Sequence, residues 1–264
     1  MLRLTFLGTG TSQGVPMVGC RCEVCRSSDR HDKRLRSSVM VEYFSKAGDE
    51  EPSTRIIIDA GPDFRYQMLR EGVMRIDAIL LTHEHKDHVG GIDDVRAFNY
   101  WQDEAIPIYC TERVAQTIRK DFDYAFADHK YPGAPEIDLR IVKPDDRFAI
   151  GDMEITAVEG MHHKLPVLGY RMGNIAYLTD FNYVSEKEKD KLRYLKVLVV
   201  NALRHEKHIS HYTVDEAILL AGEIAAERTY FTHMSHQIGL YDEIKDTLPS
   251  GIEYAYDMLR IESK

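Results

Sequence analysis

The stretch LTHEHKDHVGG, residues 81–91, decides how this chain is read. An apolar run, Ala78–Thr82, ends and delivers His83, Glu84, His85, Lys86, Asp87 and His88 in quick succession. In extended backbone alternate side chains point the same way, so His83 and His85 can reach one cation. Asp87 and His88, past the turn, can reach a second cation nearby. Gly90 and Gly91 then let the backbone bend closely around the site. A lone histidine usually has a bland structural explanation. Three histidines and an aspartate within six residues, directly after a buried strand, point to a metal pair.

A metal pair needs more ligands than four, and three later segments offer them. VEGMHHKLPVLGY supplies His162 and His163, AYLTDF supplies Asp180, and TYFTHMSH supplies His233 and His236. Each follows an apolar run, where α/β sheets place functional groups. Around them the chain alternates short β runs, from Arg3–Leu7 to Thr229–Thr232, with helical segments after Gly61, Gly91, Thr111 and Val184. The clearest helix is predicted over Thr213–Glu227, opened by a Thr-x-x-Glu capping box. The polar segment Ser45–Ser53 reads as a hairpin tip. There is no repeat and no low-complexity linker, so residues 1–264 read as a single α/β domain.

The chain has 264 residues, with 34 basic against 43 acidic side chains and a net charge of −9. That balance disfavours a sequence-independent grip on nucleic acid, which depends on neutralising many phosphates. It leaves room for a small anion at a metal site. No apolar run approaches the ~20 residues of a membrane span, and the N-terminus lacks a signal-peptide layout. A cytoplasmic protein without a membrane partner is expected. Three of the four cysteines fall in GCRCEVC, as Cys20, Cys22 and Cys25, a spacing that suits a metal in a reducing compartment. The fourth, Cys110, reads as a small buried hydrophobe.

THEHKDH resembles the THxHxDH signature of the metallo-β-lactamase superfamily, and the resemblance covers essentially the whole chain. It implies an αββα four-layer sandwich with a dinuclear site along one edge of the sheets. Carried over residue by residue, it implies that His83, His85 and His162 hold one metal and that Asp87, His88 and His233 hold the second, with Asp180 bridging. His162 is preferred to His163 because it stands where the family usually has its ligand. Asp59, in IIIDAG, resembles the superfamily aspartate that orients the ligand loop.

GCRCEVC resembles the PhnP-type branch, the phosphoribosyl cyclic phosphodiesterases. The resemblance implies a structural zinc on Cys20, Cys22, Cys25 and His236, closed and therefore inert towards water. It also implies manganese or zinc at the catalytic pair and hydrolysis of a small, cyclic or activated phosphate ester. Asp87 would help orient the attacking hydroxide. HYTVDEA resembles a ribonuclease Z pattern and implies His211 as the general acid, with His208 as runner-up and His205 the third histidine of that loop. Ribonuclease Z-like RNA processing and thioester or lactone hydrolysis are the enzymatic alternatives. Against the first stand the missing basic arm and the acidic charge; against the second, the cysteine cluster. A non-catalytic zinc protein is the alternative of a different class. Thr9, Thr11, Arg36 and Tyr100 are candidates to line the pocket, and dimeric relatives leave a homodimer open.

Overall fold

A computed structural model describes residues 1–46 and 48–263. The first sheet is built from β1 (Leu2–Gly8), β2 (Ser38–Tyr43), β3 (Thr54–Ile58), β4 (Ala78–Leu80), β5 (Ile106–Cys110) and β6 (Ile137–Ile141). The second holds β7 (Arg147–Ile150), β8 (Met153–His162), β9 (Leu165–Met172), β10 (Ile175–Leu178), β11 (Val197–Asn201), β12 (Arg228–Thr232) and β13 (Ile252–Tyr254). The last strand, β14 (Arg260–Ser263), returns to the first sheet beside β1, giving the order β14-β1-β2-β3-β4-β5-β6. The second sheet is ordered β13-β12-β11-β10-β9-β8-β7. From β3 to β6, and from β10 to β13, the strands run parallel; the remaining pairs are antiparallel.

The helices are α1 (Glu23–Arg26), α2 (Phe64–Glu71), α3 (Lys86–Val89), α4 (Arg96–Gln102), α5 (Glu112–Asp121), α6 (Glu186–Asp190), α7 (Val214–Ile224) and α8 (Tyr241–Ile244). A 3-10 turn, Ile92–Val95, leads directly into α4.

Three apolar layers separate the four structural ones. Between the sheets, Leu4, Phe6, Val41, Ile56 and Leu80 of the first sheet meet Ile155, Tyr170, Tyr177 and Val199 of the second. On the outer face of the first sheet, Ile57, Ile79 and Ile108 pack under Phe64, Met68, Phe98 and Ile118 of α2, α4 and α5. On the outer face of the second, Leu178, Leu198 and Phe231 pack under Leu192, Ala217 and Leu220. The αββα expectation is met. The parallel strands are apolar on both faces because both are covered, which is why Ala78-Ile79-Leu80 reads as an unbroken run.

The predicted capping box forms: Thr213 Oγ1 accepts the Glu216 N–H at 3.2 Å and Glu216 accepts the Thr213 N–H at 2.9 Å. The helix stops at Ile224, before the predicted Glu227, as Ala225 turns left-handed. β2 and β3 pair antiparallel across the expected hairpin tip, of which Ala47 lies outside the described residues. Sequence reading gives no strand for β7, β13 or β14. All three are sheet edges, four residues or fewer, and polar on their outward positions.

Candidate metal centres

β4 ends at Leu80, and a short irregular segment leads to His85, which is extended and caps α3. His83 and His85 share a side, and His83 Nε2 lies 3.0 Å from His85 Nδ1. The single turn of α3 then swings Asp87 and His88 inward. Gly90 and Gly91 both have ordinary negative φ, so their flexibility is not what matters. Close approach is: a Cβ on Gly91 would lie 2.1 Å from the Gly61 carbonyl oxygen and 2.9 Å from Phe64 Cβ. Gly61 meets the other flank of the loop, where a Cβ would sit 1.9 Å from the Asp87 carbonyl oxygen.

Three segments of the second sheet bring the remaining donors. His162 is the final residue of the ten-residue strand β8. Gly160 lets that strand pass the Phe181 ring, which a Cβ there would meet at 2.2 Å. Asp180 and His233 follow β10 and β12, and both have left-handed backbone, φ 63° and 57°. Asp59, after β3, shares that conformation at φ 65°. Left-handed non-glycine residues at three strand ends are backbone strain concentrated where the donors converge.

The donors form two overlapping groups. His83, His85 and His162 offer nitrogens within 4.8 Å of one another, and so do the donor atoms of Asp87, His88 and His233. Asp180 falls within the same reach of His83 with His88 and of His162 with His211. It thus stands between the groups, 3.3 Å from His88 Nε2 and 3.2 Å from His233 Nε2.

The surrounding hydrogen bonds aim the free nitrogens inward. His88 Nδ1 donates to Asp59 Oδ2 at 2.7 Å, and Asp59 also accepts from the Thr82 N–H and hydroxyl. His162 Nδ1 donates to the Ser210 carbonyl at 2.8 Å, leaving Nε2 for the site. His163 points to solvent, with its N–H on Asn182 Oδ1, so the geometry favours His162. His233 Nδ1 faces the Ser37 hydroxyl at 3.2 Å and its Nε2 the Thr11 hydroxyl at 3.3 Å. Asp59 stands where the sequence put it. Ser37, Thr82 and the Ser210 carbonyl were missed, because a hydroxyl or carbonyl supporting a ligand leaves no spacing signal.

His88 Nε2 tests whether this donor set fits a cation. The atom is buried without a hydrogen-bond partner and faces Asp87 Oδ2 at 3.1 Å and Asp180 Oδ2 at 3.3 Å. A lone pair opposed to two carboxylates needs a positive centre between them. Without a metal only a proton can serve: burial opposes the charge, but Asp180, Asp87 and Asp59 together hold His88 well above the ordinary imidazole range. Burial likewise opposes ionisation of Asp180, yet His233 and His88 keep it well below the carboxylate range. Divalent metals replace such a proton with a charge the site is built to hold.

His211 is buried beside this centre, its ring 4.6 Å from that of His162 and 4.9 Å from those of His233 and His208. Burial above all pushes it down to about 3, against the pull of Asp180 and with His233, His162 and His208 adding to the fall. His208 is half-buried and leans on Ser210, whereas His205 is exposed. Of the pocket candidates, Thr11 reaches the centre. Thr9 is spent on Asp257, Arg36 on Asp63, and Tyr100 stands on the outer face of α4.

The cysteines form the second centre. Cys22 caps α1, and Cys20, Cys22, Cys25 and His236 place their donor atoms within 4.8 Å of one another. His236 Nδ1 lies 3.2 Å from Cys22 Sγ and 3.7 Å from Cys20 Sγ. A tetrahedral zinc with bonds of ~2.3 Å to sulfur sets donors roughly 3.8 Å apart, so the four fit. None is in a disulfide. Burial pushes the Cys25 thiol up to about 11, and a metal would bring it back down as a thiolate. Cys110, buried and pushed up to about 12, lies apart as expected. Residues 9–11 join the two centres: the Met234 N–H donates to the Thr9 carbonyl and the Thr11 N–H to the Met234 carbonyl, between His233 and His236.

A beta-lactamase superfamily domain model matches residues 54–234. Among solved structures, a diphosphatase from the PhnP family superposes with a TM-score of 0.90 at 38% identity, covering 100% of this chain and 98% of that one. Zinc-bound PqqB from Methylobacterium extorquens shares the fold, with a TM-score of 0.76 at 18% identity, over 99% and 100% of the two chains. An octanoyltransferase from Porphyromonas gingivalis is 43% identical over 98% of this chain and 51% of its own length. The chain thus spans about half the length of that curated relative.

Proposed function

The chain belongs to the metallo-β-lactamase superfamily and, within it, to the PhnP family; it is a metal-dependent hydrolase, and from that premise we propose that it cleaves a phosphoryl bond in a small phosphate ester at a pair of divalent cations. The observation that carries this reading is the buried, unpartnered His88 Nε2 opposite Asp87 and Asp180. In the proposal His83, His85 and His162 would hold one cation and Asp87, His88 and His233 the other, with Asp180 available to either. Manganese or zinc suits these nitrogens and carboxylates, and zinc suits the cysteine centre. Bound there, the pair supplies Lewis acidity and a water made nucleophilic at neutral pH.

The chain's own residues do the rest. Asp87 is the partly open carboxylate of the centre and orients the attacking water. His211 faces the leaving oxygen. Its burial keeps it neutral until an anionic phosphate arrives beside it and favours the imidazolium, so its proton is taken up with the substrate. His208, ring to ring with His211, is the group through which that proton passes to solvent. A cyclic ribosyl phosphate falls within the proposed class, and the related diphosphatase adds a diphosphate to it. The free cysteines support a reducing, cytoplasmic setting. Among the described residues no helix is long and apolar enough to cross a membrane.

The octanoyltransferase relative favours one second reading, hydrolysis of an acyl thioester on the same centre. Metal analysis of the purified chain, with turnover of bis-p-nitrophenyl phosphate, a diphosphate diester and octanoyl-coenzyme A, separates them. Three metals per chain and turnover of either phosphoryl compound are expected. Turnover of the thioester alone transfers the assignment to the second reading, and a single metal without any turnover overturns both.

A further inference from the structure

The first donor group is split between the sheets. His83 and His85 follow β4 of the first sheet, and His162 ends β8 of the second. Their spacing therefore depends on how the two sheets are held together at this edge. Two hydrogen bonds fasten the seam behind the site. The Leu168 N–H donates to the Thr82 carbonyl at 3.0 Å, and the Tyr170 hydroxyl donates to the Leu81 carbonyl at 2.7 Å. Both stop short of His83.

Arg113 carries the seam past that point. It stands in the first turn of α5, which Thr111 caps. Its Nη2 donates to the Pro166 carbonyl at 2.6 Å, and its Nε faces Glu84 Oε1 at 3.1 Å. Glu84 lies between His83 and His85. Pro166 pairs with Met161 of β8, and the next pair towards the turn is His162 with Leu165. One guanidinium thus grips both segments that deliver the first group, each beside a donor.

Arg113 Nε and Glu84 Oε2 are closed off from solvent and make no hydrogen bond, so each charge relies on the other. A planar fork suits the place, because an ammonium is a point donor and does not hold acceptors on two sheets at a fixed separation. As folding energy the pair counts for little, since the arginine side chain is 37% exposed. Its consequence lies in how the donors are aimed.

We propose that Arg113 is a positioning residue that fixes the separation of His162 from His83 and His85, and through it the affinity of the first cation. The inference rests on the reading that these three histidines hold a cation. Groups that orient ligands without touching the metal set affinity by about 10- to 100-fold.

Competition for zinc between the full metal-loaded chain and a chromophoric chelator tests it, with metals per chain counted by elemental analysis. Arg113→Ala is expected to weaken one cation by about 10- to 100-fold and to leave the other two within about 3-fold. The unaffected metals are the control, because a merely structural role would loosen all three. In a His85→Ala background, where the first cation is already lost, R113A is expected to change nothing further. Arg113→Lys keeps the charge but grips one acceptor at a time, and is expected to recover only part of the loss. The double variant R113A/E84A is expected to be no worse than R113A alone. Unchanged far-ultraviolet circular dichroism of R113A and R113K shows that the fold survives. Unchanged affinity in R113A overturns the proposal, as does an equal loss at all three metals, full recovery in R113K, or a further loss in the His85→Ala background. A wild-type chain that takes up no metal beyond the cysteine centre overturns the underlying reading as well, and is told apart because the wild type itself then fails.

Discussion

The two donor clusters sit three residues apart in sequence at His233 and His236, yet they are built for opposite ends. The cysteine centre uses all four donors, has no carboxylate and gathers them from a short helix cap and one loop. The histidine centre shares one buried carboxylate between two groups, leaves His211 over, and holds its donors on four strand ends, two of them, Asp180 and His233, in left-handed backbone. Closure against surplus is the difference. A saturated site contributes only folding energy, whereas a site with shared and spare donors can take a substrate.

Breaking the histidine centre gives the largest expected effect. His88→Ala removes the nitrogen opposed by Asp87 and Asp180 and leaves those carboxylates facing each other. Turnover is expected to fall on the order of 10³-fold or more, with the loss of at least one metal per chain by elemental analysis. Retention of both metals and of turnover would show that the surplus is not functional. His211→Asn comes next. Loss of about 10²-fold is expected on a diester with an alkyl leaving group, and a clearly smaller loss on the p-nitrophenyl ester, whose leaving oxygen needs no proton. Equal losses on the two would reassign His211 to holding metal or substrate.

How much of this was legible in the sequence follows from how each feature is encoded. The donors His83, His85, Asp87, His88, Cys20, Cys22 and Cys25 stand close together in the chain, so local spacing exposes them. His162, Asp180 and His233 are far apart, and only the apolar runs before them, which become β8, β10 and β12, gave them away. Choosing His162 over His163 required the superfamily resemblance, because two adjacent histidines look alike until one is seen to donate to Ser210 and the other to face solvent. The left-handed backbone at Asp59, Asp180 and His233 was not legible, since nothing in a non-glycine residue announces positive φ. The sheet edges were not legible either, because short polar strands resemble loops.

The cysteine centre should respond in the other currency. Cys22→Ser removes a donor and the cap of α1, and the apparent Tm is expected to fall by roughly 5–10 °C with one metal lost. Turnover at 25 °C is expected to fall far less than in His88→Ala, and only because His233 is carried on the same loop. A turnover loss as deep as that of His88→Ala, without a shift in Tm, would erase the distinction between the two centres.

The smallest effect probes what couples them. Asp257, between β13 and β14, accepts from the Thr9 N–H at 3.0 Å, the Thr9 hydroxyl at 2.8 Å, the Leu35 N–H at 3.0 Å and Arg70 Nη1 at 3.2 Å. It thereby anchors residues 9–11, the strand that touches Met234 between the two centres. Burial pushes its carboxyl up to about 6, against the pull of the Leu35 N–H, Arg70 and Thr9. The folded value lies above the unfolded one, so between the two the folded state binds the extra proton. The stabilisation is complete below the unfolded value near ~3.9 and is lost as pH rises through about 6. The span is on the order of 3 kcal/mol. Asp257→Asn cannot titrate, so its unfolding free energy by urea should stay flatter between pH 4 and 7 than that of the wild-type chain, both measured metal-free under the same conditions so that titration of the shared ligands cancels between them. If the two profiles run parallel, Asp257 is not the group that tunes this strand, and the coupling of the centres rests on the Met234 contacts alone.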